Sequence, residues 1–153
     1  MEVIKKRTIK YYRHVAYGKD YFFAYVHEPP RKRTILNFHN AIYVEIPGCC
    51  YRILLREAYP YFYALTIGVL LHKENKYYHD AYGSLFGGLD ICLGDGYNPY
   101  TSKHKTPEAA VDSIVDYLWE SQFTLSQAIF EIGPETRSPI GNALQEVNFN
   151  DNR

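Results

Sequence analysis

Tyr51-Arg52-Ile53-Leu54-Leu55-Arg56 and Tyr61-Phe62-Tyr63-Ala64-Leu65-Thr66-Ile67-Gly68-Val69-Leu70-Leu71 decide the fold. Both are short, rich in aromatic and branched residues, and flanked by turn formers. Such runs read as strands. The second is apolar almost throughout, which places it at the centre of a sheet, and it is too short to cross a bilayer. Pro60 lies between the two runs, so they meet through a turn.

The same pattern continues towards the N-terminus. Val3 to Tyr12 alternates roughly between polar and apolar, Gly18-Lys19-Asp20 is a turn signal, and Asp20 to His27 carries Tyr21, Phe22, Phe23, Tyr25 and Val26. Pro29-Pro30 stops that strand and opens Arg31-Lys32-Arg33, read as a solvated basic turn. Thr34 to Phe38 and Ile42 to Ile46 are two more strands, about a tight turn near His39-Asn40, and Pro47-Gly48 is the next turn. Short strands joined by short turns predict an antiparallel meander.

Beyond Leu71 the character changes. His72 to Gly96 has scattered polar residues, several glycines and no period, and Tyr97-Asn98-Pro99 extends it. So long a loop in a small domain is often functional. A helix follows. Thr106 is its N-cap, Pro107 its first position and Glu108 a first-turn acid, while Val111, Ile114, Val115, Leu118 and Trp119 make one apolar face. It should end near Glu120-Ser121. Leu125 to Ile132 reads as a second short helix stopped by Gly133-Pro134. The expected class is therefore α+β: an antiparallel strand meander, a long cysteine-bearing loop, and one or two C-terminal helices. Residues 1–137 form the single domain, and 138–153 form a polar tail with Leu144 and Val147 as its few anchors.

Composition bounds the function. The chain has 153 residues, 46% of them hydrophobic, with Lys+Arg 17 balanced by Asp+Glu 17. A neutral chain has no electrostatic reason to adhere to nucleic acid or to a membrane surface. The 16 Tyr and 8 Phe suit half-buried strands and a protein-binding face. The first residues carry no apolar run of a signal peptide, and the three cysteines are odd in number, so a reducing, cytoplasmic setting is expected.

Chemistry centres on Cys92, inside Gly87-Gly88-Leu89-Asp90-Ile91-Cys92-Leu93-Gly94-Asp95-Gly96. Glycines on both sides allow another backbone to approach closely, and a thiolate is a strong nucleophile near neutral pH. The alternative is a small buried hydrophobe beside Ile91 and Leu93. His79 or His72 would serve as the base of a Cys–His pair, with Asp80 or Asp95 orienting the imidazole. Cys49-Cys50, after a hairpin turn, reads as packing at a strand start. No paired ligands with zinc spacing, no calcium loop and no phosphate-cradling glycine loop occur, so neither metal nor cofactor is expected.

The order of pieces resembles the ubiquitin-conjugating-enzyme (UBC) superfamily, in particular its bacterial type exemplified by protein B of PRTRC systems. The resemblance spans roughly Thr34 to Thr124. It rests on a strand meander, a long loop with Gly88-Leu89-Asp90-Ile91-Cys92-Leu93-Gly94, then Asn98-Pro99, and a helix running into Trp119-Glu120-Ser121-Gln122-Phe123-Thr124. It implies that Cys92 carries the C-terminus of a ubiquitin-like modifier as a thioester for transfer to an amine, supplied by an activating enzyme. His79 and Asp95 complete the candidate catalytic set. The family's His-Pro-Asn segment ahead of the cysteine is absent; His79-Asp80-Ala81 stands further upstream, without Pro or Asn. A non-catalytic binding or accessory module, using a Tyr-rich surface, is the second reading. Homo-oligomer formation is left open.

Overall fold

The computed structural model describes residues 6–14, 17–37, 40–46, 48–80, 93, 97–120, 132–136 and 145–149. Among the described residues are nine strands, β1 (Thr8–Arg13), β2 (Tyr21–Glu28), β3 (Arg31–Asn37), β4 (Asn40–Ile46), β5 (Gly48–Ala58), β6 (Tyr61–Lys73), β7 (Lys76–Asp80), β8 (Ile132–Thr136) and β9 (Gln145–Val147). A 3-10 turn at Pro99–Thr101 precedes the α-helix α1 (Pro107–Glu120). Seven strands form one antiparallel sheet in the order β8-β7-β6-β5-β2-β1-β9. The hairpin β3–β4, which follows β2 and precedes β5 in the chain, is a separate two-stranded sheet. The class is α+β with a mostly antiparallel sheet.

The two deciding runs are the long middle strands, β5 and β6, paired from Gly48↔His72 to Ala58↔Tyr61. An irregularity at Leu54/Leu55 shifts the register, so that Leu55 faces Ala64. Gly48 is required by close packing: a Cβ there would lie 2.7 Å from the His72 carbonyl oxygen. α1 lies across one face of the sheet. Its Val111, Ile114, Val115, Leu118 and Trp119 join Phe22, Ala24, Val26, Tyr51, Ile53, Leu55, Ile67 and Leu71 in the core. Thr106 caps it as expected: its Oγ1 accepts from Ala109 N at 3.2 Å.

Three expectations are corrected. Arg31-Lys32-Arg33 is not a turn but the start of β3, because the proline pair bends the chain and the three cations then extend beside β4. The stretch from His72 is not loop throughout: β6 runs to Lys73 and turns into β7 through Glu74 and Asn75, both at positive φ (54° and 64°). That is the geometry of a tight two-residue hairpin turn. It is seldom spelled Glu-Asn, so the sequence hides it. Ile132 opens a strand, not a helix end, and Gly133-Pro134 lie inside β8; residues 125–131 of the expected second helix are outside the described residues. Within the polar stretch 138–153, β9 pairs with β1, and Phe149 packs edge-on against Tyr11, Phe22 and Phe62. No helix among the described residues is long and apolar enough to cross a membrane.

Candidate functional site

Neighbouring residues of a strand point to opposite faces. Cys49 and Cys50 therefore sit in two different environments, and each environment is a polar cluster that the sequence did not announce.

Cys49 points to the helix-covered face. Its cross-strand partner is Glu28, and Tyr51, two residues on, shares the face. The Glu28 carboxylate is 8% exposed and accepts from the Tyr51 hydroxyl at 3.1 Å. Trp119 Nε1–H, from the last turn of α1, donates to that hydroxyl at 2.9 Å. Arg33 reaches Glu28 Oε2 at 3.5 Å and lays its guanidinium over the Trp119 ring, 4.9 Å from the centroid. A buried carboxylate is costly unless paired and hydrogen-bonded, and Glu28 has both kinds of partner. Burial, with Cys49 and Glu28 close by, holds the Tyr51 hydroxyl well above the usual tyrosine range. Tyr51 is thus a neutral relay between an indole and a carboxylate, a structural role.

Cys50 points to the other face. It is hydrogen-bonded at sulfur distance to His27, with Sγ and Nε2 3.8 Å apart, opposite it in β2. His72 and Tyr77 complete the group: the His27 and His72 rings are 5.6 Å apart, and His72 and Tyr77 are 4.9 Å apart. A Cys–His contact invites a nucleophilic reading, but electrostatics decide against it. Burial pushes the Cys50 thiol up to about 12. Burial, then His72 and Lys10, push the His27 imidazole down. Both shifts favour the neutral thiol and neutral imidazole, the opposite of a thiolate–imidazolium pair. Cys49 is also pushed up, by burial and then by Glu28. Both thiols are buried and held towards the neutral form in the folded protein. The sequence reading of this pair as packing residues agrees with their burial. The register His27↔Cys50 and Glu28↔Cys49 would have exposed both clusters, had the pairing of β2 with β5 been known.

Cys92 and Asp95 lie outside the described residues. His79 is on β7, but its side chain is outside the description; β7 pairs with β6 at Leu71↔Tyr78 and with β8 at Tyr78↔Glu135. Leu93 and Tyr97, downstream of Cys92, are anchored. Leu93 packs against the core, and Tyr97 donates its hydroxyl hydrogen to the Ala64 carbonyl while its ring meets Tyr117 of α1 edge-on. Asn98 caps the 3-10 turn through its side chain to Tyr100 N at 3.0 Å, and Phe62 N donates to His104 O at 2.7 Å. Among the described residues no group of three or more His, Cys, Asp or Glu side chains is placed to hold a metal ion.

The described residues also include a cleft of about 280 Å³, lined by Arg31, Lys32, Arg33 and Thr34 of β3 and by Asp116, Trp119 and Glu120 of α1. No protein-family model, curated protein or solved structure matches this chain.

Proposed function

We propose that the protein is a UBC-like carrier that holds a ubiquitin-like modifier as a thioester on Cys92 and passes it to an amine. Elimination among the thiols supports this reading. The chain has three cysteines; Cys49 and Cys50 are buried and held neutral, so thiolate chemistry falls to Cys92. The order of elements is compatible with it: the Cys92 segment joins a strand meander to a helix packed on the same sheet, and its downstream end is pinned at Leu93 and Tyr97.

In this scheme the Cys92 thiolate attacks the activated C-terminal carbonyl of the modifier and displaces the thiolate of an activating enzyme. The acceptor amine then attacks the thioester carbon, forms an amide, loses its proton to solvent or base, and releases the Cys92 thiolate. His79 is the candidate base and Asp95 its orienting acid. A second reading, a non-catalytic binding module, is favoured by exposed tyrosines: Tyr43 is 68% exposed and Tyr59 91%.

Alkylation of the native protein across pH, read by peptide mass, tests the proposal. Cys49 and Cys50 serve as buried internal controls. Fast modification of Cys92, with an apparent pKa below the ordinary thiol value of about 8.5, is expected. It should be followed by a reductant-labile adduct with an activated ubiquitin-like protein that Cys92→Ala abolishes. Modification of Cys92 only upon unfolding sinks the carrier and leaves the binding module.

A further inference from the structure

The charges of the chain balance in number but are unevenly placed. α1 carries Glu108, Asp112, Asp116 and Glu120 at every fourth position, and no cation. The sheet face turned away from α1 is the reverse. β1 and β6 contain no Asp or Glu. The two acids of β2 and β5, Glu28 and Glu57, fall on the side of α1: Glu28 pairs with Cys49 and Glu57 with Phe62, both core residues under the helix. What alternates to the other side of these strands is rich in aromatic and cationic residues.

Two rows cross that face. In the first, the His14 ring lies 4.4 Å from Phe23, and Arg52 covers Phe23 at 4.8 Å. In the second, Tyr17 meets Tyr21 edge-on at 5.8 Å, and the Arg56 guanidinium stands over Tyr21, also at 5.8 Å. Arg56 donates to the Tyr100 hydroxyl at 3.2 Å, and Tyr100 tilts against Tyr63 at 5.1 Å. Tyr21, Arg56 and Tyr63 are direct cross-strand neighbours in β2, β5 and β6, so this row runs straight across the sheet. Its ends are open: Tyr17 is 59% exposed and Tyr100 49%. One face of Tyr17 rests on His14, rings 4.1 Å apart and 21° from parallel, which leaves the other face for a ligand. Lys103 adds a cation over Tyr61 at 5.3 Å. Arg56 and Lys103 make no ion pair among the described residues.

We propose that the second row binds single-stranded nucleic acid, with bases stacked on Tyr17 and Tyr100 and phosphates on Arg56 and Lys103. The inference goes beyond the thioester reading and does not depend on it. Such a ligand repeats a flat ring and a negative charge along its length, and the row repeats ring and cation. An acidic peptide offers the charge without the rings, and a duplex keeps its base faces stacked inside. Neutrality of the whole chain does not oppose binding, because a polyanion responds to the face it meets, and the acids of α1 lie across the sheet. The acids that border the face, Asp20 before β2 and Glu146 opposite Tyr12, make no ion pair with Arg56.

The test uses the full chain with end-labelled oligothymidylate and oligouridylate of about ten nucleotides, followed by anisotropy at low salt. Saturable binding of either strand is expected. Tyr17→Ala with Tyr100→Ala should weaken it by about tenfold or more; both residues are exposed, and an unchanged melting temperature verifies the fold. Arg56→Gln should flatten the log–log salt dependence by about 0.7. Lys32→Ala, which removes a cation beside α1, should leave binding as it is. No saturation by about 100 μM strand overturns the proposal. So does binding that survives the double tyrosine change, or equal affinity for polyglutamate or for a duplex of the same length, because each would be charge attraction without stacking.

Discussion

The two faces of β5 solve the same problem by different means. On the face under α1, the core is largely aliphatic and one polar path crosses it, from the Trp119 indole through the Tyr51 hydroxyl to Glu28 and Arg33. On the other face, Tyr12, Tyr25 and Cys50 are buried within an array of rings and cations. Tyr12 meets Tyr25 edge-on at 5.3 Å, Arg52 covers Phe23 at 4.8 Å, and Phe23 tilts against His14 at 4.4 Å. The helix face depends on a few hydrogen bonds that all have to be made. The ring face spreads its stabilisation over many weak contacts. The first should fail abruptly when one partner goes, and the second gradually.

The largest effect should follow loss of the helix's contribution. Trp119→Ala removes a buried indole, the donor to Tyr51 and the surface under Arg33, and should cost about 3–5 kcal/mol in urea unfolding. Trp119→Phe should recover the packing part of that loss but not the hydrogen-bond part. Next, Tyr51→Phe takes the hydroxyl acceptor from the Trp119 N–H and one of two donors from Glu28 Oε2, and should cost about 1–3 kcal/mol. A loss as small as that of an exposed tyrosine would break the comparison. On the ring face, Arg52→Met keeps the aliphatic stem over Phe23 and removes the cation, for a smaller loss of about 0.5–1 kcal/mol.

The smallest effect is one of pH. The folded state holds His27 below the ordinary imidazole value, by burial and by His72 and Lys10. Between the ordinary and the folded values the unfolded chain binds more protons. Stability contributed by neutral His27 is therefore complete above the ordinary imidazole value of about 6.5 and is lost as pH falls towards the folded one. The urea midpoint should drop on acidification through that window, and His27→Gln should flatten the slope. An unchanged slope would mean that burial of neutral His27 is not what couples this face to pH.

Much of the fold is legible in the chain because the responsible interactions are local. The Thr106-Pro107-Glu108 start and the i, i+3, i+4 apolar face specify α1 before any tertiary contact exists. The run from Tyr61 to Leu71 specifies a central strand by composition alone. The turn at Glu74-Asn75 was hidden because two positive-φ residues there are accepted for the sake of the β6–β7 pairing, against local preference. Gly133-Pro134 read as a stop, although the register of β8 on β7 carries the strand through them. Of the candidate site, Cys92 was singled out from its glycine-rich surroundings. The two buried thiol clusters were invisible because Glu28 and Cys49, or His27 and Cys50, are far apart in sequence and meet only through the β2–β5 ladder.

The sequence by itself determined the meander and the start of the helix, signals carried within a few neighbouring residues. Only the tertiary structure decided which thiols are buried and held neutral. Burial and pairing depend on what is brought alongside from elsewhere in the chain, and desolvation by those neighbours, not residue type, sets whether a cysteine can ionise.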